Sequence, residues 1–306
     1  MIPAELGGLR LTLKESVPLA ERTTLRIGGP ARYFAEVDDA EALAALLRWS
    51  RAEGLAVLPL GKGSNVLVPD DGFPGVALVL AGDFLRVRID GADVAAGGGA
   101  SLMQLAVETK RAGLSGFENL SGIPSSIGGA IRINAGSYGT EIFELLVTVE
   151  LVSRAGERRV VPAGEIAHGY RWTALVETDD VIAGGSFRLT PKSREAIEAR
   201  FREVTEKRKG ALPKQANAGS IFKNPPGEYA GKLLEACGMK GRRAGNAQVS
   251  DVHANVIVNL GGARAADVLA LMEEMKAAVA ARFGVALEPE IELLGSAARR
   301  AGAPAP

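Results

Sequence analysis

Three short segments combine glycine with hydroxyl, amide or basic side chains: Arg26-Ile27-Gly28-Gly29-Pro30, Gly61-Lys62-Gly63-Ser64-Asn65, and Ser121-Gly122-Ile123-Pro124-Ser125-Ser126-Ile127-Gly128-Gly129. Glycine lets a backbone approach a ligand closely and take positive φ, so that neighbouring N–H groups converge on phosphate oxygens while Ser and Asn add hydrogen bonds. A pyrophosphate-bearing cofactor suits such loops, although each one alone would serve equally well as a tight turn. Two common nucleotide motifs do not account for them. Lys62 is followed by Gly63, which breaks the Gly-Lys-Ser/Thr register of a P-loop. No G-x-G-x-x-G joins a strand to a helix with an acid ~20 residues further on.

The elements that must hold these loops are readable from caps and periodicity. Asp38 with Glu41 makes a capping box ahead of Leu43, Leu46 and Leu47, and Gly54 supplies the stop, which predicts a helix over 39–53. Leu55 to Leu60 reads as a buried strand running into Gly61, with a second strand at Val76 to Leu80. Ser101 with Gln104 opens another helix, closed by Gly113, that leads into Ser121 to Gly139. Beyond Pro191, Ser193 is placed to cap a helix carrying Ile197, Phe201 and Val204 and ending in Lys207-Arg208-Lys209. Residues 263–283 give a long amphipathic helix, and Ala286 to Leu294 reads as a final strand. The first two thirds alternate β-like stretches with short helices and the last third is helix-rich, which puts a boundary near residue 195. Residues 296–306, all Ala, Arg, Gly, Pro or Ser, have nothing to bury and are expected to be disordered.

A chain of 306 residues is long enough for two domains, and 36 basic against 36 acidic residues leave no global field to attract nucleic acid or an anionic membrane. No apolar run approaches the ~18 residues of a transmembrane helix, and the first 20 residues lack a basic stretch followed by an apolar block, so the expected location is cytoplasmic. Cys237 is the only cysteine, which excludes an intrachain disulfide and a thiolate metal site. His168 and His253 are the only histidines, and no metal is expected.

Seven ordered strings carry a resemblance: Thr23-Thr24-Leu25-Arg26-Ile27-Gly28-Gly29, Pro59 to Asn65, Ser121 to Gly129, Asn134-Ala135-Gly136-Ser137-Tyr138-Gly139, Tyr170-Arg171, Ala218-Gly219-Ser220-Ile221-Phe222-Lys223-Asn224-Pro225 and Leu287-Glu288-Pro289-Glu290-Ile291. From about Thr23 to Gly295 the chain resembles the UDP-N-acetylenolpyruvoylglucosamine reductase (MurB) family. The resemblance implies an α+β fold: an FAD-binding domain of the vanillyl-alcohol-oxidase (PCMH) type over 1–195, in two α+β subdomains, then an α/β substrate-binding domain over 196–295 that covers the flavin with substrate. It also implies NADPH-dependent reduction of UDP-N-acetylglucosamine enolpyruvate for peptidoglycan precursors. FAD would be non-covalent, since neither histidine sits where a flavin-linking one belongs. NADPH and the UDP-sugar would take turns in one site, which fits the lack of a separate NADPH motif. A monomer with no nucleic-acid or membrane partner is expected.

By the same resemblance, Ser220 donates the proton, Arg171 holds the substrate carboxylate and Glu290 assists at the same carbon. Cofactor contacts fall to Arg26, Gly28, Gly29, Gly61, Lys62, Gly63, Ser64, Asn65, Gly122, Ile123, Pro124, Ser125, Ser126, Gly128, Gly129, Asn134, Ala135 and Gly136. Substrate contacts fall to Tyr170, Lys223, Asn224, Gln248 and His253. Pro124-Ser125-Ser126 stands where the family often has Pro-Gly-Ser, and Arg132-Ile133-Asn134 replaces Met-Gln-Asn. A tyrosine-bearing loop insertion is absent, which marks the compact branch and leaves the uridine end without an assigned clamp. Two rival readings stand beside it: an FAD-dependent alcohol or sugar-lactone oxidase or dehydrogenase of the same superfamily, and a non-catalytic nucleotide-binding protein.

Overall fold

The computed structural model describes residues 2–6 and 9–294, with side chains from Leu13 onward, so the expected tail at 296–306 lies outside the described residues. Two compact units form. The first holds the chain up to Glu15, Arg32–Lys62 and Pro74–Arg208; the second holds Ser16–Ala31, Gly63–Phe73 and the residues from Lys209 onward. The crossover therefore comes 13 residues after the expected boundary near 195, because the helix Arg194–Arg208 packs in the first unit. Two early segments also leave the first unit altogether.

The first unit is built on two five-stranded sheets. In one, β1 (Ile2–Leu6), β2 (Leu9–Pro18), β3 (Pro30–Val37), β4 (Val57–Pro59) and β5 (Phe73–Leu80) run in the order β1-β2-β3-β5-β4, with β4 and β5 parallel. Helix α1 (Ala40–Ala52) covers it, burying Leu43, Leu46 and Leu47 against Val76 and Leu78. Its N-cap is Asp39, whose carboxylate accepts from the Ala42 N–H at 2.8 Å, one residue later than the capping box predicts. The other sheet has β6 (Val87–Asp90), β7 (Asp93–Gly97), β8 (Leu146–Val152), β9 (Arg158–Pro162) and β10 (Val181–Arg188) in the antiparallel order β9-β8-β10-β7-β6. Helices α2 (Leu102–Arg111) and α3 (Ile127–Arg132) lie on its core face, where Leu105, Ile127 and Ile131 join Val149, Leu151 and Phe187. Ser101 caps α2 and Ser193 caps α4 (Arg194–Arg208), both as the sequence predicts.

The second unit is built on a four-stranded antiparallel sheet of β11 (Ala216–Ser220), β12 (Arg243–Ala244), β13 (Ala247–Val249) and β14 (Val256–Asn259), ordered β11-β14-β13-β12. Helices α5 (Ala230–Ala236) and α6 (Ala265–Phe283) supply Leu233, Leu234, Leu271, Met272 and Met275 to its core. The early segments are tied in specifically. Asp70 accepts from the Ala265 and Ala266 N–H groups at 2.7 and 3.1 Å, at the start of α6, and Val66–Leu67 pairs in parallel with Glu292–Leu293. The expected strand over 286–294 is thus cut down to that pair plus a single bridge from Pro289 to Phe222, because Leu287, Ile291 and Leu294 are spent on core packing.

Candidate functional site

Each unit carries one cavity that gathers expected site residues. In the first, about 240 Å³ is enclosed between Leu60, Leu78, Leu80 and Ile182 on the apolar side and Gly61, Gly98, Gly99, Gly128 and Gly129 on the other. A Cβ at Gly61 would collide with the Ser126 hydroxyl, and one at Gly98 or Gly99 with the carbonyl oxygens of Ile182 or Leu80. At Gly98 and Gly99 the loops therefore meet their neighbours backbone to backbone, which glycine permits. Lys62, Ser126, Arg132 and Asp180 add polar groups to the lining. The Arg132 guanidinium is held by the Leu175 and Val176 carbonyls at 2.9 and 3.2 Å. Apolar side chains beside glycine backbone, with Lys62 in the lining, suit a flat heteroaromatic ring bearing phosphates, the chemistry of a flavin dinucleotide. Gly98, Gly99 and Arg132 were not among the expected residues. The run Gly97-Gly98-Gly99 is a legible signal for the first two.

Several expected cofactor residues instead have their polar groups occupied within the protein. Gly29 donates its N–H to the Pro69 carbonyl at 2.9 Å, and Gly128 donates to the Gly98 carbonyl at 2.8 Å. Ser125, expected to offer its N–H to a ligand, donates it to Ile123 at 2.9 Å. The Gly122 carbonyl accepts from Arg208 Nη2 at 2.6 Å, and that guanidinium also reaches Ser137 Oγ at 3.3 Å; burial holds its pKa below the ordinary arginine value. Arg26, Gly28, Gly63, Ser64 and Asn65 lie in the second unit. There Asn65 Nδ2 donates to the Glu290 carbonyl at 3.1 Å.

Asn134, expected at the cofactor, is tied within the protein by its side chain. It is fully buried, with φ +46°, and its amide Nδ2 donates to Glu141 Oε2 at 2.6 Å and to the Gly169 carbonyl at 3.0 Å, while Oδ1 accepts from the Phe143 N–H at 3.3 Å. Its side chain brackets the neighbouring hairpin. That hairpin, His168–Gly169 with Trp172–Thr173, turns on Tyr170-Arg171. Arg171 sits at the tip with φ +54°, its Nη2 bonded to the Gly136 carbonyl at 2.7 Å and its guanidinium 5.1 Å from the Tyr170 ring. Holding a non-glycine residue at positive φ costs about 1 kcal/mol or more, which the hairpin's cross-links must offset.

In the second unit a cavity of about 300 Å³ is lined by Ser220, Asn224, Tyr229, Lys232, His253 and Asn255. Ser220 is half-buried at the end of β11, just after a bulge at Ala218-Gly219 where Gly219 takes φ +74° and donates its N–H to Asn217 Oδ1 at 2.9 Å. His253 Nδ1 accepts the Asn255 N–H at 3.2 Å, so the ring proton belongs on Nε2. Burial, then the nearby Lys240 charge, keep its pKa below the ordinary 6.5, so the ring is neutral. Glu290 is half-buried and donates its N–H to the Ile221 carbonyl at 2.8 Å, directly after Ser220. The exposed Glu288 faces Lys223 at 3.6 Å instead, so the two glutamates differ in environment. Asn224 Oδ1 accepts from Ala230 at 3.0 Å, where α5 begins. Gln248, expected to touch substrate, is buried with Oε1 on Arg243 at 2.6 Å and Nε2 on Asp251 at 2.9 Å, which makes it a bracket like Asn134.

Among the described residues no cluster of three His, Cys, Asp or Glu side chains could hold a metal ion, and no helix is long and apolar enough to cross a membrane. A family model described as an FAD binding domain matches residues 31–161, and one described as the C-terminal domain of UDP-N-acetylenolpyruvoylglucosamine reductase matches 212–294. UDP-N-acetylenolpyruvoylglucosamine reductase 2 of Symbiobacterium thermophilum is 43% identical over 284 residues, covering 92% of each chain. The reductase of Chloroherpeton thalassium is 44% identical over 294 residues, 92% of this chain and 93% of that one. The crystal structure of the reductase (MurB) from Thermus caldophilus superposes with a TM-score of 0.80 at 39% identity, covering 93% of this chain and 98% of the other. The fold is α+β, with an FAD-binding domain of the vanillyl-alcohol-oxidase type followed by the family's C-terminal domain. Likeness at this level over both ends of both partners leaves one assignment: the chain belongs to the UDP-N-acetylenolpyruvoylglucosamine reductase (MurB) family.

Proposed function

We propose that this protein reduces the enolpyruvyl group of UDP-N-acetylglucosamine enolpyruvate to give UDP-N-acetylmuramate, with FAD as bound cofactor and NADPH as co-substrate, in the cytoplasm and as a monomer. The observation that carries the reading is a half-buried serine hydroxyl fixed at a strand bulge in a cavity that also holds Lys232, Asn224 and a neutral His253. Within that reading the first unit, whose last segment runs to Arg208, is the FAD-binding domain, and the second unit is the substrate-binding domain.

Bound FAD would accept hydride from NADPH and pass it to the alkene. The chain's own residues have two tasks. Ser220 gives a proton to the α-carbon; a hydroxyl is a weak acid, so its conjugate base needs nearby donors, and the polar cavity supplies them. Arg171 binds the substrate carboxylate, where its planar fork suits the charge that spreads onto the two oxygens as the alkene is reduced. Glu290, tied to Ile221 beside Ser220, serves at the same carbon. Lys223, Asn224, Tyr170 and His253 hold the rest of the UDP-sugar, with the Nε2–H of His253 acting as a neutral donor. The glycine-lined cavity of the first unit, with Lys62, Ser126 and Arg132, holds the cofactor.

The test follows the flavin band near 450 nm without oxygen. NADPH should bleach it and the enolpyruvyl UDP-sugar should restore it. Ser220→Ala should bleach normally and recover about a thousandfold more slowly, within the range a positioned general acid contributes. Equal loss in both steps refutes the role of Ser220, and no recovery in the unaltered protein refutes the function.

A further inference from the structure

Ser220 ends a strand, and strand ends are ordinarily loose. Here the two peptides that follow it are fully engaged. The Ile221 N–H donates to the Asn255 carbonyl at 2.9 Å and the Ile221 carbonyl accepts from Glu290 at 2.8 Å. The Phe222 N–H donates to Asn255 Oδ1 at 3.0 Å, and Asn255 Nδ2 returns a bond to the Phe222 carbonyl at 2.8 Å. The strand register of β11 against β14 stops at Ser220 with Val256, and beyond the Ile221 bond to the Asn255 carbonyl the Asn255 side chain continues the ladder. A primary amide carries a donor and an acceptor at the spacing of a peptide group, and only such a side chain can close this two-way contact. Asn255 is 3% exposed, so both of these bonds are shielded from bulk water.

One more bond extends the arrangement. The Asn255 backbone N–H is the group that fixes His253 with its proton on Nε2. Asn255 thus sits between two groups lining one cavity: it clamps the chain after Ser220 and sets the tautomer of His253. The bulge before Ser220, closed by Gly219 on Asn217 Oδ1, clamps the other side.

We infer that Asn255 is a positioning residue for proton transfer, holding Ser220 from behind through the peptide group of Phe222. The inference rests on the reading of Ser220 as proton donor. It predicts that loss of Asn255 damages the step in which Ser220 acts and leaves alone the step in which it does not, because a reacting group displaced by about 1 Å can lose about a hundredfold in rate.

The experiment uses the FAD-loaded, full-length protein in anaerobic rapid-mixing measurements. Asn255→Ala should bleach with NADPH within about twofold of the unaltered rate and recover with the enolpyruvyl UDP-sugar about a hundredfold more slowly. Its solvent deuterium isotope effect on recovery should rise. In the double variant with Ser220→Ala, recovery should match Ser220→Ala alone, since a brace cannot matter once its hydroxyl is gone. A double variant slower than Ser220→Ala by the full Asn255→Ala factor, or equal slowing of bleaching and recovery, overturns the inference. If Asn255→Ala does not fold, Asn255→Asp keeps the acceptor for the Phe222 N–H and loses the donor. It should recover about tenfold more slowly with the same non-additivity, and recovery at the unaltered rate overturns the inference. Failure of the unaltered protein to recover rejects the proposed reaction itself and is read before any variant.

Discussion

Arg171 and Ser220 are held by opposite means. Arg171 stands at the tip of a two-residue turn with positive φ, and the hairpin beneath it is fastened by side chains: Asn134 on Gly169, and Arg171 itself on Gly136. Ser220 lies within the sheet, where a bulge on one side and the Asn255 amide on the other fix the backbone. A tip fastened by a few side-chain bonds can shift as a ligand arrives, whereas a clamped strand end cannot. On the proposed reaction, that division suits an arginine that grips a carboxylate and a serine that delivers a proton along one line.

The comparison can be broken from the Arg171 side first. Arg171→Lys keeps the charge and removes the fork, and kcat/KM for the UDP-sugar should fall about thirtyfold, the ~2 kcal/mol of one charged hydrogen bond. Steady-state kinetics decide it, and an unchanged value would remove Arg171 from the carboxylate. Asn134→Ala unfastens the hairpin without touching the arginine. A drop of about tenfold in kcat/KM, carried mainly by KM, is expected together with a lower melting temperature, from three lost hydrogen bonds at ~1 kcal/mol each. A fall in kcat alone would mean that the tip is as rigid as the strand end.

The smallest effect concerns His253. Its pKa in the folded chain lies below 6.5, chiefly from burial and then from Lys240, with Glu235 opposing. Below about pH 6.5 the unfolded chain therefore binds a proton that the folded chain does not, and stability falls as pH drops through that value until the lower folded pKa is passed. His253→Gln should flatten this part of the stability profile in chemical denaturation, and an unaltered slope would place its origin elsewhere. Water reaches the ring in part and softens the effect.

Local signals were legible where one residue decides the outcome. Ser101 and Ser193 cap the helices predicted for them, while the tandem Asp38-Asp39 offers two caps and the chain uses the second. Glycine density marked loops that line the first unit's cavity, but not which glycines face it and which, like Gly29, only let two segments pack. Amides were the least legible. Asn134 and Gln248 have the chemistry of ligand contacts, and their partners, Gly169 for one and Arg243 and Asp251 for the other, are fixed by tertiary pairing that no spacing encodes. Asn255 escaped notice for the same reason, since nothing next to it in sequence reveals that it completes a ladder with Phe222.

The threading of the second unit governs the order in which this protein can be made. Asp70 waits for Ala265, Val66–Leu67 for Glu292–Leu293, and Thr24 for the Asn217 carbonyl, 193 residues away. A ribosome must therefore release most of the chain before these early pieces find their mates, and their contacts, being among the most distant in sequence, are slow to form. A gene fragment that starts at Lys209 would encode α6 without the carboxylate that meets its first turn and one short strand without its neighbour, so this half is not a free-standing module.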